Sequence, residues 1–330
     1  MIVFLEEKLQ KDFIANSILE KLPQASVIKI NSWKNVFKKN VSYPTKELVL
    51  VIGTLTQNAI HQVPANYTSY DYWFFLKTSI GCFFDCSYCF LKWYMKNPFS
   101  ILFVNYDEIK RQIEDKINSI KEVVPKARIC FYSSDYSDIQ GFDYLTEFNK
   151  NFIPFFEQFD NVLMETRTKS ANINSLLELW YVPSNTEVAF SLNPQEVISK
   201  YEHLTSSLES RIKAINTLLE KGFKVGLRFM PIIPIENYEK IYEKFLDNIV
   251  KRIPMHKVNS IDAGVLLFTK EDYNKIIFQN KAPEIFYKMV QDSWGYVRFP
   301  EIQRQKIYNI FEKYLWKYNE INYCLENLKN

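Results

Sequence analysis

Residues 72–91 read YWFFLKTSIGCFFDCSYCFL, an aromatic run of strand length that is followed closely by three cysteines. Cys82, Cys86 and Cys89 have the spacing Cys-x3-Cys-x2-Cys. The aromatic run predicts a buried β-strand, so the cysteines fall on the loop that leaves its carboxyl end. Gly81 comes directly before the first cysteine and predicts a sharp turn, because glycine adopts left-handed backbone torsions without a steric penalty.

The cysteine spacing favours an iron–sulfur cluster over the other uses of cysteine. Three thiolates can hold three irons of a [4Fe–4S] cluster and leave the fourth iron open for a ligand. A structural zinc site needs four ligands, often in two pairs. The candidates for a fourth ligand form no second pair; they are Cys130, Cys324, His61, His203 and His256. Zinc binding, ordinary buried thiols and a disulfide stay open as alternatives, although clustered reduced thiols suit a reducing compartment.

Length, composition and charge set broad limits on the protein. The chain has 330 residues and is 47% hydrophobic, which suffices for one large core or a core with a small domain. No apolar run approaches the ~18 residues of a membrane span, and Glu6 and Glu7 lie where a signal peptide would be basic. We therefore expect a cytoplasmic protein. The 41 basic residues exceed the 38 acidic ones too little to indicate nucleic-acid binding.

From residue 72 onward, runs of strand length alternate with segments of helical periodicity. The runs cover 72–77, 128–132, 161–166, 187–192, 223–229 and 259–268, and helices are predicted at 106–124, 206–221, 238–252 and 301–318. Six such units predict a parallel sheet with right-handed crossovers. The expected fold is α/β, a partial (β/α)6 barrel.

Local signals refine this prediction. Ser206 and Glu209 fit a capping box, and Gly222 predicts the end of the same helix. Pro154 predicts a break in the helical segment 144–159. Gly226 lies inside a strand, where it allows a ligand or another backbone to approach, or a helix to pack tightly.

Three domains are expected along the chain. Residues 1–65 form a small α/β lead-in with a helical segment at 8–21 and apolar runs at 26–30 and 47–52. Residues 66–270 form the partial barrel, and residues 271–330 form a helical extension that packs on it.

Polar segments follow the predicted strands, at 133–138, 165–170, 191–194 and 228–231. In folds of this kind the reactive groups gather beyond the carboxyl ends of the strands. We therefore expect these segments to converge on the cysteine loop. The alternative for each single residue is a helix cap or a turn.

Taken together, these motifs resemble the spore photoproduct lyase family of radical S-adenosylmethionine (SAM) enzymes. The resemblance rests on Ser79-x-Gly81-Cys82-x3-Cys86-x-Tyr88-Cys89-x-Leu91, Val104-Asn105-x-Asp107-Glu108, Thr168-Lys169, Ser191-Leu192-Asn193-Pro194, Tyr201-Glu202-His203-x-Thr205-x-Ser207 and Pro231-Ile232-Ile233-Pro234. It implies a [4Fe–4S] cluster on Cys82, Cys86 and Cys89, with SAM on the open iron and an external one-electron reductant of the flavodoxin or ferredoxin type. It also implies that SAM contacts Tyr88, Ser137, Lys169, Ser191 and Asn193.

The sequence departs from that family at the expected hydrogen donor. Asp135 lies in the segment 135–141, where photoproduct lyases have a cysteine that returns a hydrogen atom to the substrate radical. Cys130 is five residues earlier, and an odd offset within a strand would place it on the opposite face. Phe90 follows the last cluster cysteine, where the family tends to have tyrosine.

The leading hypothesis is a radical SAM enzyme that forms a 5′-deoxyadenosyl radical and abstracts hydrogen from a nucleic-acid or nucleotide-like substrate, by family analogy. The first alternative is a DNA photoproduct repair lyase with a different hydrogen donor. The second is a non-catalytic iron–sulfur or zinc protein. No catalytic residue and no oligomeric state is assigned from the sequence.

Overall fold

The structure, a computed structural model, describes residues 1–37, 48–62, 70–91, 99–134, 136–278 and 282–324. Its strands are β1 (Ile2–Glu6), β2 (Ser26–Ile30), β3 (Val49–Gly53), β4 (Ile60–Gln62), β5 (Tyr72–Leu76), β6 (Ser79–Ile80), β7 (Asp85–Cys86), β8 (Ser100–Phe103), β9 (Ile129–Tyr132), β10 (Val162–Thr168), β11 (Thr186–Ser191), β12 (Glu202–His203), β13 (Lys224–Ile232), β14 (Ser260–Val265), β15 (Leu267–Thr269), β16 (Val290–Gln291), β17 (Tyr296–Arg298) and β18 (Ile321–Tyr323). Its α-helices are α1 (Phe13–Glu20), α2 (Tyr106–Val123), α3 (Ile139–Thr146), α4 (Phe148–Phe156), α5 (Asn174–Leu177), α6 (Gln195–Tyr201), α7 (Leu208–Glu220), α8 (Tyr238–Arg252), α9 (Lys270–Phe278) and α10 (Glu301–Leu315). Short 3-10 helices cover Glu7–Leu9, Trp33–Phe37, Met255–Lys257 and Glu284–Lys288.

The barrel sheet has eight strands in the order β18-β14-β13-β11-β10-β9-β5-β4. The six predicted strands are β5, β9, β10, β11, β13 and β14, and each pairs in parallel with the next. This arrangement confirms the predicted α/β fold with a partial (β/α)6 barrel. The last predicted run, 259–268, is divided at Leu266, and its second part, β15, pairs with β17 in a separate sheet.

The barrel sheet has one apolar face, which the helices cover, and one face that carries charges. Val188, Phe190, Leu227 and Phe229 belong to the main hydrophobic core together with apolar side chains of α7 and α8. Side chains alternate between the two faces of a strand. Glu187 of β11 and Arg228 of β13, which alternate with these apolar residues, therefore lie on the face opposite the helices.

Arg228 holds this charged face together. Its guanidinium lies 2.8 Å from Glu165 Oε2 and 2.6 Å from Glu187 Oε1, and its Nε lies 3.0 Å from Asp262 Oδ2. The three carboxylates come from β10, β11 and β14, so one arginine of β13 connects four strands. A Cβ at Gly226 would overlap the side chains of Glu187 and Arg228. This network explains the glycine, rather than either of the two predicted reasons.

The N-terminal sheet shares its strands with the cysteine region. Its order is β2-β1-β3-β8-β6, so it includes two strands, β8 and β6, from beyond residue 65. The segment 271–330 likewise supplies β18 to the barrel sheet, and its helix α10 packs on α8. The division of the chain at residues 65 and 270 stays a prediction.

The predicted helices are found, with local corrections. The segment 8–21 splits into a 3-10 turn and α1, whose first turn is capped by Asp12, which accepts the Ala15 N–H at 2.8 Å. The Ser206–Glu209 capping box was wrong by one residue, because Ser207 Oγ accepts the Ser210 N–H at 3.2 Å. Gly222 ends α7 as predicted, with a φ of 87°.

The predicted break at Pro154 was wrong in position. The chain is interrupted at Glu147, which adopts a left-handed φ of 50°, and Pro154 lies inside α4. Asp143 Oδ1 accepts the Asn149 N–H at 2.8 Å. It thereby caps the start of α4 and fixes the break between α3 and α4. Among the described residues, no helix combines the length and the apolar character that a membrane span requires.

Candidate metal centre

The cysteine loop is fixed from three directions. Before it, β6 pairs with β8 of the N-terminal sheet; within it, β7 pairs with β12, which opposes Cys86 to Glu202. Gly81 has a φ of 84° and donates its N–H to Tyr136 O at 2.9 Å. A Cβ at this position would lie 2.6 Å from Phe99 O. The predicted turn at Gly81 is therefore confirmed, and only glycine fits there without displacement of the backbone.

The three loop cysteines are reduced thiols that lie within electrostatic range of one another. Burial raises the pKa of the Cys82 thiol, and Asp138 and the other two cysteines raise it further. Burial also raises the pKa of Cys86 to about 12, whereas the nearby Lys169 ammonium lowers it. Both thiols are thus protonated at neutral pH unless a metal cation displaces the protons.

The cysteine loop supplies three free thiols as candidate metal ligands. Within the described ranges, no three residues among His, Cys, Asp and Glu converge closely enough to hold one metal ion. Cys130 packs with Tyr132 and Leu163 in the barrel sheet, and Cys324 contacts Met230 Sδ at 3.5 Å. The donor set at the loop is therefore three thiols, which suits a [4Fe–4S] cluster with one open iron.

Glu202 connects the cysteine loop to the end of β11. The Tyr88 hydroxyl, between two cysteines, donates to Glu202 Oε1 at 2.7 Å, and Asn193 Nδ2 donates to the same oxygen at 2.9 Å. Arg211 contacts the other oxygen at 2.7 Å. Burial opposes the charge of Glu202, but Lys169 and Arg211 outweigh it and hold the pKa of this carboxyl below its usual value.

Asp138 connects the ends of β9 and β10. Its carboxylate accepts hydrogen bonds from Thr168 Oγ1 at 2.8 Å, the Lys169 N–H at 2.8 Å and the Gly141 N–H at 2.9 Å. Burial raises the pKa of Asp138, although these hydrogen bonds act in the other direction. Asp138 also raises the pKa of the Cys82 thiol, so its carboxyl lies on the side of the site near the first cysteine.

The residues predicted to contact SAM lie in this network or beside it. The Lys169 ammonium is 6.0 Å from the centre of the Tyr88 ring, and the Ser137 hydroxyl is hydrogen-bonded to Ser79 Oγ. Ser191 and Asn193 are buried. Ser191 O accepts from Arg211 at 2.8 Å, and the Asn193 carboxamide is bonded to Glu202, Pro231 O and Tyr242. Their contact with SAM stays a prediction.

The structure describes only some of the residues at which the sequence departs from the family pattern. Asp135 lies outside the described residues. Phe90 is 38% exposed, with its ring 6.2 Å from that of Tyr136. Cys130 is buried on the face of β9 that also carries Tyr132.

Sequence reasoning gave no role in the site to Glu202 and Arg211, and it included Asp138 only as one member of the polar segment 133–138. Asp138 had a usable signal, because an aspartate directly before a helical segment predicts a cap that faces the strand ends. Glu202 belongs to the motif Tyr201-Glu202-His203-x-Thr205-x-Ser207, but the sequence assigned it no role. Arg211 gave no signal, because an arginine among Leu208 and Ile212 on a helix is normally an exposed residue.

Comparisons with known proteins agree on one family. The sequence matches the family model "Spore photoproduct lyase" over residues 33–315. It is 32% identical to the spore photoproduct lyase of Clostridium acetobutylicum over 167 residues, which cover 50% of this chain and 48% of that protein. It is 31% identical to that of Bacillus subtilis over 175 residues, which cover 53% and 50%. The matches thus span about half the length of these curated relatives.

Solved structures of the same name share the fold. A mutant spore photoproduct lyase with bound AdoMet and dinucleoside spore photoproduct superposes with a TM-score of 0.80 at 20% identity, with 98% of each chain covered. A spore photoproduct lyase complexed with dinucleoside spore photoproduct gives a TM-score of 0.78 at the same identity and coverage. At this identity the likeness establishes the half-barrel architecture.

Proposed function

The chain belongs to the spore photoproduct lyase family, and we propose that it is a radical SAM enzyme that abstracts hydrogen from a nucleic-acid or nucleotide substrate. One observation carries the proposal. Three thiols lie on a single loop that is fixed against the carboxyl ends of the barrel strands. Structural relatives bind AdoMet and a dinucleoside photoproduct. From these ligands we infer the cofactor and the substrate class of this chain.

In this proposal Cys82, Cys86 and Cys89 hold a [4Fe–4S] cluster. Bound there together with SAM, the cluster would supply the 5′-deoxyadenosyl radical, and this chemistry would belong to the cofactors. The protein binds the irons, orients SAM and excludes water. Because burial raises the pKa of the Cys82 and Cys86 thiols, cluster binding releases their protons. The Lys169 cation favours the thiolate of Cys86.

The five residues predicted to contact SAM fall into two groups, those with partly exposed side chains and those with buried side chains. Lys169 and Ser137 keep exposed surface and can meet the carboxylate and hydroxyl groups of SAM directly. Tyr88, Ser191 and Asn193 are buried, which supports a role in fixing the site walls. The proposal also includes an external one-electron reductant of the flavodoxin or ferredoxin type, which would reduce the cluster. It includes a cytoplasmic location, since the thiols must stay reduced.

The test is anaerobic reconstitution with iron and sulfide, followed by dithionite and SAM. We expect about four irons per chain and formation of 5′-deoxyadenosine. Cys86→Ser should abolish both, whereas Cys130→Ser and Cys324→Ser should abolish neither. Wild-type protein that forms no cluster, or needs Cys130 or Cys324 to hold one, would contradict the proposal and favour the non-catalytic metal protein.

Repair of a DNA photoproduct is the second candidate, favoured by the named activity of the relatives. A carboxylate is a poor hydrogen-atom donor, so Asp135 cannot replace the family cysteine directly. We expect irradiated DNA to accelerate 5′-deoxyadenosine formation, and Asp135→Cys to raise the yield of repaired thymine, measured by chromatography. Repair by the wild type that Asp135→Cys leaves unchanged would indicate another donor. Acceleration by unirradiated DNA alone would exclude repair.

A further inference from the structure

The Glu202–Arg211 ion pair is closed off from solvent. Both side chains are 0% exposed, and Arg211 lies 2.7 Å from Glu202 Oε2. Arg211 also donates to Ser206 O at 2.9 Å, Ser191 O at 2.8 Å and Thr205 Oγ1 at 2.7 Å. A buried ion pair is weak evidence for stability, because desolvation offsets its attraction. The pair therefore needs an explanation beyond holding α7 against β12.

Glu202 contacts the cysteine loop twice. Its side chain accepts the Tyr88 hydroxyl at 2.7 Å, and its backbone lies opposite Cys86 in the β7–β12 pairing. Next to this pairing, the Ser87 N–H donates to Tyr201 O at 2.8 Å. The segment from Cys86 to Cys89 thus has a side-chain anchor and a backbone anchor on one short turn. Arg211 fixes that turn from the protein interior.

We propose that Glu202 is a positioning residue: held by Arg211, it fixes Tyr88 and thereby sets the spacing of Cys86 and Cys89 for the cluster. The inference rests on the proposed function, because it assumes that these cysteines bind iron. Residues that orient metal ligands contribute strongly to metal affinity although they do not touch the metal. A role in folding alone predicts no such effect on the metal.

The decisive variant is Tyr88→Phe, which removes one oxygen and leaves the Glu202–Arg211 pair in place. We expect reconstituted, SAM-free Y88F to release iron to a chelator about 10- to 100-fold faster than wild type. Glu202→Gln should also release iron faster. Because a neutral acceptor binds the hydroxyl less strongly, Y88F should have a smaller effect in the E202Q background than in wild type.

Glu209→Gln is the matched control. Glu209 lies on the same helix as Arg211, but its ion pair with Arg252, at 2.6 Å, is on the surface. E209Q should release iron at the wild-type rate. A second readout is the reduction potential of the cluster, which E202Q should shift to a more positive value because a negative charge beside Cys86 is lost. A residue that acts only in folding would not move that potential.

The outcomes separate this inference from the proposed function. If Y88F with wild-type circular dichroism releases iron at the wild-type rate, the positioning role is overturned and the proposed function stands. If E209Q releases iron as fast as Y88F, the effect is not specific and the role is likewise overturned. If wild-type protein assembles no cluster, both proposals fall. Should E202Q not fold, Y88F decides alone.

Discussion

Gly81 shows how one backbone torsion controls the approach to the site. The residue links β6, in the N-terminal sheet, to the first cysteine, and its φ of 84° turns the chain toward the barrel. Phe99 O and the Ser100 backbone close the space where a side chain would point. Conformation and space therefore both select glycine at this position.

Gly81→Ala should destabilise the protein more than Gly295→Ala. Gly295 has almost the same φ, 86°, but nothing within 4 Å of its Cβ position. G295A should lose about 1–2 kcal/mol of unfolding free energy through the left-handed torsion alone. G81A should lose more, because the backbone at Phe99 must move, and it should take up less iron on reconstitution. Urea unfolding and iron analysis check this; equal losses in both variants would contradict the steric argument.

At the scale of elements, the sequence pattern predicted the six barrel strands and the long helices, but it did not predict the strand pairing outside the barrel. Runs of Val, Ile and Phe identified the barrel strands because such residues suit strands buried on both faces. The pattern could not reveal that β8 and β6 join the N-terminal sheet, since pairing between distant segments depends on tertiary contacts. The cysteines were predictable because their spacing is local in the sequence. The Glu202–Arg211 anchor was not predictable, because it depends on tertiary contacts.

The Arg228 network makes an element-scale prediction about acid stability. Burial disfavours the charge of Glu165, but Arg228 and Arg167 outweigh burial and hold the pKa of Glu165 at about 2, below its ordinary 4.5. A carboxylate with a lowered folded-state pKa stabilises the fold above pH 4.5, and this stabilisation is lost as the pH falls toward 2. Glu165→Gln should therefore flatten the fall of unfolding free energy between pH 5 and pH 3, measured with urea.

Glu209→Gln serves as the control for that experiment. Its ion pair is exposed and screened by solvent, so its removal should change the pH dependence little. If E165Q loses stability with falling pH as steeply as wild type does, then Glu165 does not carry the acid sensitivity of the barrel.

At the scale of the whole molecule, the cysteine loop is attached to both the N-terminal sheet and the barrel. The cysteine loop leaves the N-terminal sheet through β6 and meets the barrel through β7, β12 and the segment around Tyr136. The hydrophobic core is continuous across both sheets. A disturbance inside the N-terminal sheet should therefore reach the metal centre.

Ile101→Ala tests this coupling. Ile101 is 0% exposed in β8, opposite Val51 on one side and Ile80 on the other, and Ile80 is bonded to Gly81. The cavity should cost about 2–5 kcal/mol of unfolding free energy, and the loosened β6–β8 pairing should lower the iron content after reconstitution. Ile28→Ala, at a 43% exposed position of β2 in the same sheet, should stay within about 0.5 kcal/mol and bind iron normally. Full iron content in folded I101A would mean that the barrel alone organises the loop, because the N-terminal sheet would then be dispensable for the metal centre.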